Sequence, residues 1–213
     1  MSKAVVIIDL QSSVSREDNL GWLKGVAALV RTQSSLAQVV WGDEVEAVID
    51  RPIDLWSLYI AVRRFLLERS FYMGVGFGNV VSEDIFDGIH ELNGTAFKAA
   101  RQAIDWAKGG PKKEVALSFS VYGEQDLTRV LNAFVETLNI SFARMTPQQV
   151  GYMQDFLIGL RQTAIADRHH VTQPAVHKVL VKAGAKQVAC VREGLGAVMR
   201  IVENLMGWGR ESQ

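Results

Sequence analysis

Short apolar runs alternate with amphipathic stretches up to about residue 144. Beyond it, apolar positions recur only at helical spacing. The β-branched-rich run from Ala4 to Ile8, ended by Asp9, predicts a strand buried on both faces. Polar residues Gln11, Ser12 and Ser13 follow. From Glu17 onward Leu20, Leu23, Val26, Ala27 and Val30 predict a helix. Val39 to Trp41 and Val45 to Ile49 read as strands joined by a Gly42-Asp43 hairpin turn. A second helix starts at Asp50-Arg51-Pro52 and is carried by Leu55, Leu58, Val62, Phe65 and Leu66. Phe71 to Phe77 is a fourth strand, and its alternating Gly74 and Gly76 imply a closely packed neighbour.

Strand, helix, strand, strand, helix, strand is the order of a ferredoxin-like (split βαβ) fold, so the expected class is α+β. A further helix, Ala96 to Ala107, is stopped by Gly109-Gly110-Pro111, and a strand runs from Val115 to Val121. After it come a helical stripe (Leu127, Val130, Leu131, Phe134, Leu138) and a capping box at Thr146-Pro147-Gln148-Gln149. The expected organisation is an α/β domain over 1–144 and an all-α domain over 145–213. Without a Pro/Ser/Gly-rich linker between them, the connection should be helical.

Composition narrows this picture. Of 213 residues, 48% are hydrophobic and 22% charged, an ordinary globular balance. The formal net charge is zero, so any nucleic-acid contact must come from a local patch. The single cysteine, Cys190, allows no intrachain disulfide and no cysteine-based zinc site. It is expected in the core of the last helix. The apolar start is too short for a signal peptide or a membrane span. A cytoplasmic protein without a membrane partner is the expectation.

Candidate chemistry begins with two aspartates. In a split βαβ sheet the first and third strands are antiparallel neighbours, so Asp9 and Asp43 come together. A close carboxylate pair needs a cation or a proton. Mg²⁺ suits it, taking one or two carboxylates and completing its shell with water and phosphate oxygens. Backbone amides and the hydroxyls of Ser12 and Ser13 could then cradle phosphate. The plainer reading is that Asp9 ends a strand and Asp43 makes a turn.

The segments Ile7-Ile8-Asp9-Leu10, Trp41-Gly42-Asp43-Glu44-Val45 and Met73-Gly74-Val75-Gly76-Phe77-Gly78 resemble the palm shared by class III nucleotide cyclases and GGDEF diguanylate cyclases. Together with Gly94-Thr95-Ala96-Phe97-Lys98-Ala99-Ala100-Arg101, they make the N-terminal half similar to the SatD-like family, which also carries a C-terminal helix-turn-helix. The resemblance implies a nucleotide-cyclase-type palm with Asp9 and Asp43 as ligands of Mg²⁺ or Mn²⁺. It places Glu44 at the acidic position of the Gly-Asp-Glu signature, as a nucleotide-binding residue. Arg101 is the candidate catalytic arginine, although Phe97 stands where class III cyclases have an asparagine.

Residues 163–180 fit a short helix, a tight turn and a recognition helix. Ile165, Ala166, Val176, Val179 and Leu180 should face inward. Thr172 should cap the second helix, Pro174 should lie in its first turn, and Gly184 should end it. His170 occupies the turn position that usually holds a glycine with positive φ. Thr172, Gln173, His177, Lys178 and Lys182 are the candidate DNA contacts, since glutamine reaches adenine edges and lysine reaches phosphate or guanine. From Arg161 to Arg200, seven Lys and Arg face two acidic residues, Asp167 and Glu193. His169, His170 and His177 are expected in solvent or facing DNA rather than on a metal. The last helix (Val188, Val191, Leu195, Val198, Val202, Leu205) and the Leu127–Leu138 stripe expose enough apolar surface to suggest a homodimer or packing on the first domain. The expected function is a DNA-binding transcriptional regulator with a nucleotide- or metal-sensing palm. The alternative is a Mg²⁺/Mn²⁺-dependent nucleotide enzyme using Asp9 and Asp43.

Overall fold

The computed structural model describes residues 2–11, 16–40, 44–49, 55–66, 69–82, 92–109 and 115–207. Strand β1 (Ser2–Leu10) is buried on both faces: Ala4, Val6, Ile8 and Leu10 join one apolar cluster, while Val5 and Ile7 join another. That is the alternation of a pleated strand. Helix α1 (Arg16–Val30), β2 (Ser34–Val40), β3 (Glu44–Ile49), α2 (Leu55–Leu66) and β4 (Phe71–Asn79) follow. A two-residue ladder pairs β5 (Val81–Ser82) with β6 (Leu92–Asn93). Helix α3 (Thr95–Gly109) and β7 (Val115–Val121) complete the α/β part.

Five strands pair in the order β2-β3-β1-β4-β7. β1 is antiparallel to β3 and β4, β2 is antiparallel to β3, and β7 is parallel to β4. The result is a mixed sheet in an α+β chain. Each early crossover is split: α1 connects strands on either side of β3, and α2 connects strands on either side of β1. Strand β2 begins at Ser34, five residues before the expected start at Val39. The Ser34–Gln38 segment is too polar to stand out by hydropathy. Val40 pairs with Glu44, and the expected Gly42-Asp43 turn lies outside the described residues.

The close neighbour implied by the β4 glycines is α3. A Cβ on Gly76 would sit 2.0 Å from the Ala100 backbone nitrogen, and one on Gly74 would sit 2.5 Å from that of Ile104. Ala96, Ala99, Ala100 and Ala103 bury the helix's inner side, so small residues from both elements let helix and strand backbones meet.

On the other sheet face, β7 would leave an open edge. Helix α4 (Gln125–Ala143) closes it with side chains. Asn132 accepts from the Phe119 N–H at 2.8 Å and donates to the Phe119 carbonyl at 2.7 Å. Asn139 does the same for Leu117, and the Thr128 hydroxyl accepts from the Val121 N–H. Two amides and a hydroxyl thus serve the exposed strand edge as a sixth strand would, which also blocks edge pairing with another chain.

The remaining helices are α5 (Pro147–Leu157), α6 (Gln162–Arg168), α7 (Gln173–Lys182) and α8 (Ala185–Leu205). The expected capping box at Thr146 and Gln149 is formed, with Pro147 at the helix start. Leu131, Val135 and Leu138 of α4 share one apolar cluster with Val75 and Phe77 of the sheet and with Leu195, Met199 and Val202 of α8. The two apolar stripes are therefore satisfied in large part within one chain. Val130 and Leu205, counted in those stripes, are 45% and 64% exposed. Cys190 is exposed rather than buried, a correction to the expectation: the inner side of α8 passes through Val188, Leu195 and Met199.

Candidate functional site

Two places bring chemistry-bearing side chains together. The first is the end of β1 and the start of β3. Asp9 pairs in register with Glu44, and Ile7 with Glu46, so three carboxylates share the α3 side of the sheet. Like charges directly across a ladder are destabilising unless compensated. Helix α3 supplies the compensation. The Arg101 guanidinium holds Glu44 through two bonds, at 2.8 and 2.6 Å, and reaches Glu46 at 2.9 Å. Donating to the Glu44 carboxylate raises the Arg101 pKa above its ordinary value, against a smaller opposing effect of burial. Two turns on, the Lys108 ammonium pairs with Asp9.

The sequence reading placed Asp9, Glu44 and Arg101 in one site, and the structure brings them together. Their partners differ from those expected. Glu44 is buried at 7% exposure and engaged by Arg101, and Asp9 is engaged by Lys108. Lys108 was missed, because only the seven-residue spacing from Arg101 on one helix face would have revealed it. Asp43, Ser12 and Ser13 lie outside the described residues. Among the described residues no cluster of three or more His, Cys, Asp or Glu is placed to hold a metal. The described side chains fit a self-neutralised acidic cluster better than an open cation site.

The second place is the helix pair α6–α7. Ile165, Ala166, Val176 and Leu180 are buried as expected, and Val179 is partly buried. The four-residue turn between them turns at His170, whose φ of 54° is the only positive value at a non-glycine among the described residues. The Val171 N–H donates to the Ala166 carbonyl at 3.0 Å, closing the turn. Thr172 stands at the α7 N-cap in extended conformation, but its side chain makes no capping bond. Its carbonyl accepts from Ala175 and Val176 instead. Gly184, at φ 67°, separates α7 from α8. Thr172, Gln173, His177, Lys178 and Lys182 are all exposed. Gln173 donates to Gln162 at 2.8 Å, bracing the two helix starts.

Behind the turn lies a cluster that sequence reasoning missed. Asp155 of α5 is 1% exposed. One of its oxygens accepts from Arg168 at 2.6 Å and Arg64 at 3.1 Å, and the other faces His169 Nε2 at 2.8 Å. Tyr152 meets the His169 ring edge-on at 4.8 Å between centroids. His169 is thus turned inward, correcting its expected place in solvent or against DNA. Arg168 belongs to this cluster rather than to a free basic surface. An aspartate in an amphipathic helix looks solvated in sequence, and its partners lie 13, 14 and 91 residues away.

No family model matches the chain, and no curated protein matches it either. The likeness to SatD-like proteins and nucleotide cyclases therefore rests on the motifs quoted above.

Proposed function

We propose that this chain is a DNA-binding transcriptional regulator in which a ferredoxin-like, cyclase-type palm carries a helix-turn-helix. The observation that supports this most is the α6–α7 pair. Its tight turn at His170 and its buried Ile165, Ala166, Val176 and Leu180 leave Gln173, His177, Lys178 and Lys182 exposed on the second helix. A recognition helix needs this arrangement: an apolar side fixed to the domain and a polar side, with lysines, free to enter the major groove. On this reading Lys178 and Lys182 meet phosphates, Gln173 and His177 meet base edges, and Thr172 meets the backbone at the helix start. A homodimer would supply the second half-site.

The test is fluorescence anisotropy of the full chain with a pool of random-sequence duplexes at rising salt. Binding should weaken with salt, and Lys178→Ala/Lys182→Ala should flatten the log–log slope by about 0.9 for each lost phosphate contact. An unchanged slope, or no binding at low salt, would sink the proposal.

A second reading, the Mg²⁺- or Mn²⁺-dependent nucleotide enzyme, is favoured by one observation: Asp9 and Glu44 meet across neighbouring strands beside Asp43 in sequence. Pyrophosphate release from a nucleoside triphosphate mixture, lost in Asp43→Ala, would support it.

A further inference from the structure

We propose that the cavity between α2, β7 and α8 is a binding site for a small organic anion with an apolar body. The cavity has a volume of about 290 Å³. Its apolar walls are Leu55 and Trp56 of α2, Phe119 of β7, and Leu195 and Met199 of α8. This size and lining suit a compact ring system, at the small end of ligand sites.

Helix α8 gives the cavity its charge. Arg192, Gly196 and Arg200 follow at four-residue spacing, so they form one row with a gap between two guanidinium groups. Arg192 is anchored by donating to the Leu157 carbonyl. Arg200 makes no ion pair among the described residues, and its Nη1 lies 3.8 Å from where a Cβ on Gly196 would stand. Its head therefore lies over the gap, free to take a carboxylate. Glu193 also lines the cavity and offsets one of the two positive charges.

Gly196 carries the argument further. Two turns of α8 contain two glycines, and their reasons differ. A Cβ on Gly194 would sit 2.5 Å from the Phe134 ring, so packing requires that glycine. A Cβ on Gly196 would meet only the mobile tip of Arg200. A glycine inside a helix is unfavourable relative to alanine, so at Gly196 the helix forgoes stability and keeps the space open.

Isothermal titration calorimetry of the full chain with naphthoate, and with naphthalenemethanol as its uncharged counterpart, tests the site without requiring DNA binding. Naphthoate should bind at one site per chain and at least tenfold more tightly than the alcohol. Arg200→Ala should remove that preference, and Gly196→Leu should abolish binding without lowering the melting temperature. No saturable binding up to millimolar naphthoate overturns the proposal. So does equal binding of both probes, or binding that survives Gly196→Leu. Should that variant not fold, the Arg200→Ala comparison alone decides.

Discussion

Asp155 and Glu44 are both buried acidic residues held by arginine, yet their surroundings differ. Glu44 stands at a strand end with Glu46 and Asp9 beside it, and its cations come from a single helix, α3. Asp155 stands alone and draws its partners from α2 and from the end of α6. The first cluster solves a local problem, three like charges on one sheet face. The second ties the sheet's covering helix to the turn that precedes α7. Crowded charges need compensation wherever they occur, whereas a lone buried charge fastens separate parts of a fold.

The largest effect should follow from breaking the Asp155 cluster. Asp155→Asn removes the charge that two guanidinium groups and an imidazole share. Breaking a buried ion pair costs about 3–5 kcal/mol. Here the survivors, Arg64 and Arg168, are about half exposed and can hydrate, so a loss of about 2–4 kcal/mol is expected in urea unfolding. Because α6 is held through the same carboxylate, amide exchange in α6 and its turn should rise more than in the sheet. Uniform exchange across both would mean that Asp155 supports the fold generally and does not act as a fastener.

Much of the fold was legible because strands and helices carry their own periods. The β4 glycines announced a closely packed neighbour, and His170 announced a turn with positive φ. The helix pair's inner residues followed from spacing alone. What was hidden depends on partners distant in sequence. Asn132 and Asn139 look like ordinary polar helix positions until β7 lies beside them. Asp155 looks solvated until Arg64 arrives from 91 residues away. Lys108 looks like a basic residue in a last helical turn until Asp9 is placed opposite. In each case side-chain type was visible but its partner was not. At the acidic strand end the sequence therefore offered a metal where the described residues offer lysine and arginine.

An intermediate effect is expected at Glu44. Arg101→Met would leave Glu44 and Glu46, at 9% and 12% side-chain exposure, without their shared cation. The expected loss is about 1–3 kcal/mol, since the arginine itself is partly solvated. The double variant Arg101→Met/Glu44→Gln should recover part of it, because the residual repulsion falls. Failure of Glu44→Gln to recover anything would show that the arginine's packing on the sheet matters more than its charge.

The smallest effect should come from Lys108→Ala. Its pair with Asp9 is more open than the other two, at 38% and 21% side-chain exposure, and such pairs contribute below about 1 kcal/mol. The same variant decides what Asp9 is for. The Lys108 ammonium and a divalent cation compete for one carboxylate, so removing the lysine should tighten Mn²⁺ binding if Asp9 and Asp43 are ligands. A competitor worth about 1 kcal/mol corresponds to roughly a fivefold gain. Adding Asp9→Asn should then cancel that gain, as followed by Mn²⁺ electron paramagnetic resonance. Equal and weak Mn²⁺ binding in all three proteins would leave Asp9 as the partner of Lys108, and the acidic strand end as a means of seating α3 on the sheet.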